Sequence, residues 1–247
     1  MRAVYLLLIL LFSFSLQGKT KDLLFEKGLD EIMQEEYEEA QAVFLQDAKL
    51  QPSFSSYYNL GVASGSLEEW SKAKWAFESS LKYRPLSGDA QFNAKFATQK
   101  IGENKVWKHP YPWLERVIIG FGATTWTIFV CISSLFLGFL IFNIVSKRKS
   151  NTIKWCLRLI VPSILLFVIS FYGIYSINEH YNKERYAILK NQKTKFYISP
   201  NGVQIKEDID PAIRLELMKY FKDSTWIQVR SQGKNYLWIE SENLYTY

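Results

Sequence analysis

Residues able to carry chemistry are scarce in this chain of 247 residues, which has two histidines and two cysteines. His109 lies in a proline-rich stretch and His180 at the end of an apolar run, with no serine or cysteine placed beside either as a nucleophile. Nucleophilic catalysis needs a base next to its nucleophile, and the sequence offers no such pair. It also lacks a Gly-rich phosphate loop, a paired-cysteine motif and a His-Glu metal helix, so no cofactor or metal is assigned. The acidic run Glu35-Glu36-Tyr37-Glu38-Glu39 reads as a solvated helix face rather than a cation site. Cys131 and Cys156 both fall in apolar segments, which leaves the polar regions without a disulfide. An enzyme is not expected.

Charge is missing from two long stretches, Gly120–Val145 and Leu159–Asn178. A helix of about 20 apolar residues crosses a bilayer core and satisfies its own backbone. The expectation is a transmembrane hairpin with spans at 117–145 and 157–177 and a basic loop at 146–156. Lys147, Arg148, Lys149, Lys154 and Arg158 have no acidic residue among them, and short loops of this kind stay cytoplasmic. Both outer regions then face the exterior, the periplasm if the host has two membranes, with the hairpin in the inner membrane. Neither span carries an ionisable residue away from its ends, which argues against transport.

The net charge of +6 belongs to this membrane region: residues 105–178 carry +7, whereas residues 21–104 carry −5. The basic groups are topology signals and lipid-headgroup contacts. The expected partner is the bilayer, and nucleic acid is not.

Residues 1–18 have a positive start, an apolar core and a small-residue end, the parts of a secretory signal. An uncleaved anchor is the other reading. Residues 19–104 hold an internal repeat: Gly28, Ala40, Phe44 and Pro52 recur as Gly61, Ala73, Phe77 and Pro85, each 33 positions on. A period of about 34 residues with this order is the helix-turn-helix tetratricopeptide pattern. The units are 21–53 and 54–87, followed by a partial, capping helix at 88–101; a generic array of helical hairpins is the alternative. The small residues let paired helices approach closely, and proline ends each second helix. In such arrays the first helices line a groove, which selects Phe25, Leu29, Tyr58, Val62, Phe92 and Phe96 as a protein-binding row. The other reading packs these side chains within the array.

Residues 105–116 form a linker in which Trp107, Tyr111 and Trp113 favour the headgroup level; Trp126 and Trp155 extend those aromatic belts. From Tyr186 the period changes to two. Residues 186–190, 195–198, 226–230 and 236–239 read as strands, with turns at Ser199-Pro200-Asn201-Gly202 and Ser231-Gln232-Gly233-Lys234. Several short strands suggest a small closed barrel over 186–247. Ile213, Leu217 and Phe221 have helical spacing, so Ile209–Phe221 is expected to be a helical turn or a strand with an insertion. Trp226 and Trp238 are read as barrel core; the alternative makes them, with Tyr197, an exposed platform for peptidoglycan.

The fold class expected is therefore a multi-domain membrane protein: all-α tetratricopeptide repeats, a two-helix transmembrane hairpin and a small all-β barrel. The strand order resembles bacterial Src-homology-3-like domains. On Tyr57–Gly61 with Ala73–Pro85, the span opening near Trp126 and the last barrel, the whole chain looks like the BatE-type proteins of bacterial aerotolerance operons. That resemblance implies a membrane complex with von Willebrand factor A-type proteins and a MoxR-type ATPase, linked to stress tolerance. The expected role is a protein-protein interaction scaffold on the periplasmic face; a cell-envelope sensor or anchor is the alternative.

Overall fold

In the computed structural model the described residues are 23–102, 105–146, 150–190, 194–205, 213–221, 225–230 and 236–247. The signal segment, Lys147–Lys149, most of the Ile209–Phe221 insertion region's first half and the Ser231–Lys234 turn lie outside them. Among the described residues the chain has seven α-helices and a seven-stranded antiparallel sheet.

Five helices come first: α1 (Leu23–Met33), α2 (Tyr37–Leu50), α3 (Phe54–Ser66), α4 (Trp70–Tyr83) and α5 (Gly88–Ile101). Each packs on its neighbour in sequence, as in a solenoid. The α1–α2 and α3–α4 turns are the same structure: Glu35 and Glu68 take the left-handed conformation, at φ 63° and 59°. Glu36 N–H donates to Glu31 O and Glu69 N–H to Ser64 O, both at 2.9 Å, closing each first helix with a Schellman-type cap. Ser53 and Ser87 cap α3 and α5 by accepting from Ser56 N–H and Ala90 N–H. The repeated glycines have a steric cause. A Cβ on Gly28 would stand 2.7 Å from the Phe44 ring and one on Gly61 2.6 Å from the Phe77 ring. Each phenylalanine fills the space its glycine leaves.

Two long helices follow, α6 (Trp113–Val145) and α7 (Ser150–Asn182), each of 33 residues. At 1.5 Å per residue each is about 50 Å long, more than the roughly 30 Å of a bilayer core. Both are long and apolar enough to cross a membrane, with mean hydropathies of 2.6 and 2.1, and only 17% of either apolar window is buried. A core helix of a soluble protein would bury most of its surface. Here the outward faces are Leu, Ile, Val and Phe, which suits lipid.

The two helices meet along a heptad seam. Ile119, Trp126, Ser133 and Leu140 of α6 are buried, as are Cys156, Ser163, Ser170 and Ile177 of α7. Seven-residue spacing keeps a seam in register between left-handed supercoiled helices, and small residues let the backbones approach. Ser133, Ser163 and Ser170 donate their hydroxyls to carbonyls one turn back, leaving no polar demand on the partner. Trp126, read as an aromatic-belt residue, points into the interface between the two helices. It packs on Gly173, where a Cβ would come within 2.4 Å of its ring, and its indole N–H donates to Ile118 O at 2.8 Å. That bond spans a kink at Gly122, whose φ of 75° only glycine adopts easily.

The strands are β1 (Tyr186–Leu189), β2 (Phe196–Tyr197), β3 (Gln204–Ile205), β4 (Arg214–Phe221), β5 (Trp226–Arg230), β6 (Tyr236–Glu240) and β7 (Leu244–Thr246), in the spatial order β3-β2-β6-β5-β4-β1-β7. The β2–β3 turn is the expected one: Gly202 N–H donates to Ser199 O, with Asn201 left-handed at φ 56°. The closed barrel is corrected to an open sheet with β3 and β7 at its edges. The β7 edge is covered from outside the sheet, since Trp75 of α4 donates its indole N–H to Thr246 O at 2.9 Å. In the Ile209–Phe221 region the described part is strand, not helical turn, with a bulge between Leu217 and Lys219. Ala187, Leu189, Phe196, Leu215, Ile227, Val229, Leu237, Ile239 and Leu244 form the sheet's core.

Candidate functional site

The predicted groove row divides into two halves. Phe25 packs edge-on to Phe44, and Leu29 leans on the same cluster. Tyr58 stacks on Phe54, meets Phe77 edge-on and accepts from Asn93 Nδ2 at 3.1 Å, while Val62 packs against the Phe77 cluster. These four are half-buried. Phe92 and Phe96 of α5 are 68% and 44% exposed, beside Trp70 and Lys100, which meet the Phe96 ring. The row's free apolar surface is thus concentrated on the last helix of the array.

In the β unit Trp226 is 8% exposed and meets Tyr197 edge-on, which places it in the packed interior and corrects its alternative role as an exposed platform. Tyr197 and Trp238 are half-buried and paired across β2 and β6. Of the basic residues read as topology signals, Lys154 and Arg158 are exposed on α7, Arg158 over the Trp155 ring. Lys147, Arg148 and Lys149 lie outside the described residues.

What the sequence reading missed is how the outer units join. Ten consecutive residues of α4, Ala73–Lys82, are buried, because α3 and α5 cover one side and β1, β7 and the linker cover the other. Strand β1 shows the cause in its alternation: Ala187 and Leu189 enter the sheet core, while Ile188 turns to the helices with Tyr247. Trp75 stacks on Tyr245 at 4.8 Å between ring centres.

At the middle of this interface sits Glu78, fully buried. Its Oε2 accepts from Arg214 Nε at 2.7 Å and from the Tyr247 hydroxyl; its Oε1 accepts from Trp107 Nε1 at 2.8 Å and lies 2.7 Å from Arg214 Nη2. Lys74 stands one turn away, at 3.9 Å. Burial alone would raise the Glu78 carboxyl, but the charges of Arg214 and Lys74 and these hydrogen bonds outweigh it and hold it at about 2. Burial pushes the Tyr247 hydroxyl well up, so it remains a donor. Arg214 also donates to Lys108 O at 2.9 Å, tying in the linker. One carboxylate thereby binds α4, the linker, β4 and the residue after β7.

A second cluster joins the two long apolar helices to the array. His180 of α7 is buried, with Nδ1 2.9 Å from Glu115 Oε1 on α6 and Nε2 3.0 Å from the Lys82 carbonyl at the end of α4. Arg185 Nη1 donates to the same Glu115 oxygen at 2.7 Å. Tyr111 packs edge-on to His180, and His109 donates from Nε2 to Pro85 O at 2.9 Å while Nδ1 accepts from Tyr111 N–H. Burial, the first cause, lowers His109 below its ordinary value and favours this neutral tautomer.

These clusters carry no nucleophile and base in register, and no group of three His, Cys, Asp or Glu able to hold a metal occurs among the described residues. Their chemistry is cohesion. Helical array and sheet are fastened by the buried Glu78 cluster, and array and hairpin by the partly buried Glu115–His180–Arg185 cluster. No family model matches the chain, and no curated protein or solved structure is significantly similar to it.

Proposed function

We propose that the chain is a membrane-anchored scaffold of the tetratricopeptide type that holds partner proteins at the outer surface of the bacterial inner membrane. The observation that carries this reading is the joining of the outer units to each other and to the two apolar helices through Glu78 and His180. Such a body presents the exposed Phe92–Phe96 edge at a set place relative to the bilayer. Apolar aromatic anchors beside a cation, Lys100, suit a helical or extended peptide.

The repeated glycine–phenylalanine pairs and identical turns support the tetratricopeptide assignment, and the short antiparallel strands support a Src-homology-3-like β unit. The basic loop supports placement of both units on the periplasmic side. By its resemblance to BatE-type proteins, the complex served would contain von Willebrand factor A-type proteins and a MoxR-type ATPase and act in aerotolerance.

The test is crosslinking in native membranes with the intact chain beside Phe92→Ala/Phe96→Ala. The scaffold reading expects defined membrane proteins on the intact chain and their loss from the double variant. Equal capture by both refutes the α5 edge as the contact site. Capture of wall fragments without protein would replace the scaffold by an envelope anchor.

A further inference from the structure

Where α6 begins and α7 ends, a cleft of about 410 Å³ opens between the two helices. Its lining is ordered along the helix axes. Ile118 and Tyr172 make the deeper, apolar end; Glu115, Glu179 and Arg185, beside Leu114, make the outer, charged end. Tyr172 lies seven residues deeper along α7 than Glu179, about 10 Å at 1.5 Å per residue. The charge-free runs of the two helices stop near Gly120 and Asn178, so the cleft straddles the edge of the apolar zone with its charged end outward. That gradient matches a single amphiphile, chains inward and headgroup outward.

The charges select among headgroups. Glu115 is paired with Arg185 and Glu179 with Lys183, so the mouth of the cleft is balanced in charge and suits a headgroup carrying both signs better than a purely anionic one. Arg185 suits a phosphate, and its planar donors are partly exposed. The His180 and Arg185 bonds to Glu115 both fall on Oε1, and the bond from Lys183 to Glu179 falls on Oε2, so each carboxylate keeps a second oxygen. Oxygens of this kind suit a primary ammonium, which carries three N–H donors.

We propose that this cleft binds one zwitterionic, primary-amine phospholipid of the phosphatidylethanolamine class, its phosphate on Arg185 and its ammonium on Glu179 and Glu115. The proposal rests on the hairpin spanning a membrane, but not on which side its ends face. The bound lipid would fill the gap between the first turns of α6 and the last turns of α7, beside the His180–Glu115 fastening.

The test uses the full chain, purified in detergent, stripped of lipid and titrated in native mass spectrometry with phosphatidylethanolamine, phosphatidylcholine or phosphatidylglycerol of matched chains. One phosphatidylethanolamine should be retained in preference to either competitor. Glu179→Gln should reduce that preference about tenfold, the weight of one charge-assisted hydrogen bond. Glu179→Lys should reverse it toward phosphatidylglycerol, a change that loss of structure alone would not cause. Chain-free glycerophosphoethanolamine should not displace the lipid. Equal retention of all three lipids, or an unaltered preference in both variants, overturns the site. Displacement by the chain-free headgroup overturns a lipid as its occupant. A chain that stays soluble and monomeric without detergent overturns the membrane reading itself, which separates the two failures.

Discussion

Arg214 grips Glu78 across 136 positions of sequence, Nε to Oε2 and Nη2 to Oε1, each at 2.7 Å. This two-pronged pair is the strongest geometry available to a guanidinium and a carboxylate. It joins α4 to β4, so it measures how firmly the helical and β units act as one body.

Removing one partner strands the other. Glu78→Ala leaves the Arg214 charge in the interface and should destabilise the chain by about 3–5 kcal/mol, whereas Glu78→Met/Arg214→Met should recover much of that loss. Chemical denaturation in detergent reads both, and the single variant should also separate one unfolding transition into two. A single transition at the original midpoint would mean that the pair does not couple the units.

Acid should act through the same group. Glu78 sits at about 2 in the folded chain against an ordinary 4.5, so the unfolded chain takes up its proton first as pH falls. The stability it contributes is whole above about pH 5 and is lost as pH falls from there through the folded value, on the order of 3 kcal/mol in all. Unfolding midpoints across this window should fall for the natural chain and stay flatter for Glu78→Gln.

Close approach in the array can be tested at one atom. Gly61→Ala drives a Cβ to within 2.6 Å of the Phe77 ring and should cost about 1–3 kcal/mol. Gly88→Ala, with no heavy atom within 4 Å, should be neutral or slightly stabilising. Phe77→Leu should relieve part of the Gly61→Ala penalty; a thermal-melting series gives all three comparisons.

The seam between the two apolar helices allows a matching pair. Gly173→Val collides with Trp126, whereas a Cβ placed on Gly138 has no heavy atom within 4 Å. The first should lower the melting midpoint in detergent and the second should leave it unchanged. Equal effects would place the Trp126–Gly173 contact outside the helix interface.

Local regularities were legible before the fold was seen. Gly28 with Phe44 and Gly61 with Phe77 are 16 residues apart, so composition at a fixed spacing reports their contact directly. The two apolar helices announce themselves in the same way. Ile213, Leu217 and Phe221 left helical turn and strand both open because a spacing of four fits a helix and is also a multiple of two. Leu215, buried between Ile213 and Leu217, decides for a strand. The packing of Trp126 was not legible because its partner is the missing side chain of Gly173, and an absence on a distant helix leaves no mark near the tryptophan. Glu78 and Arg214 were unreadable for a third reason. Lys74, Glu78 and Lys82 recur at four-residue spacing, the pattern of a solvated stripe, and only the sheet that follows much later in the chain turns that stripe inward.

The position of Tyr247 has a consequence for biogenesis. It completes the Glu78 site from 169 residues downstream, so α4 leaves the ribosome long before the strands that enclose it. In the interval both long apolar helices are also synthesised. During that time the α4 face bearing Lys74, Glu78 and Trp75 is open to water or to any helper protein that can shield it. Maturation of the joined helical and β body therefore waits on synthesis of the last strand, and a chain arrested before it would display an unfinished α4 surface that quality-control factors can recognise.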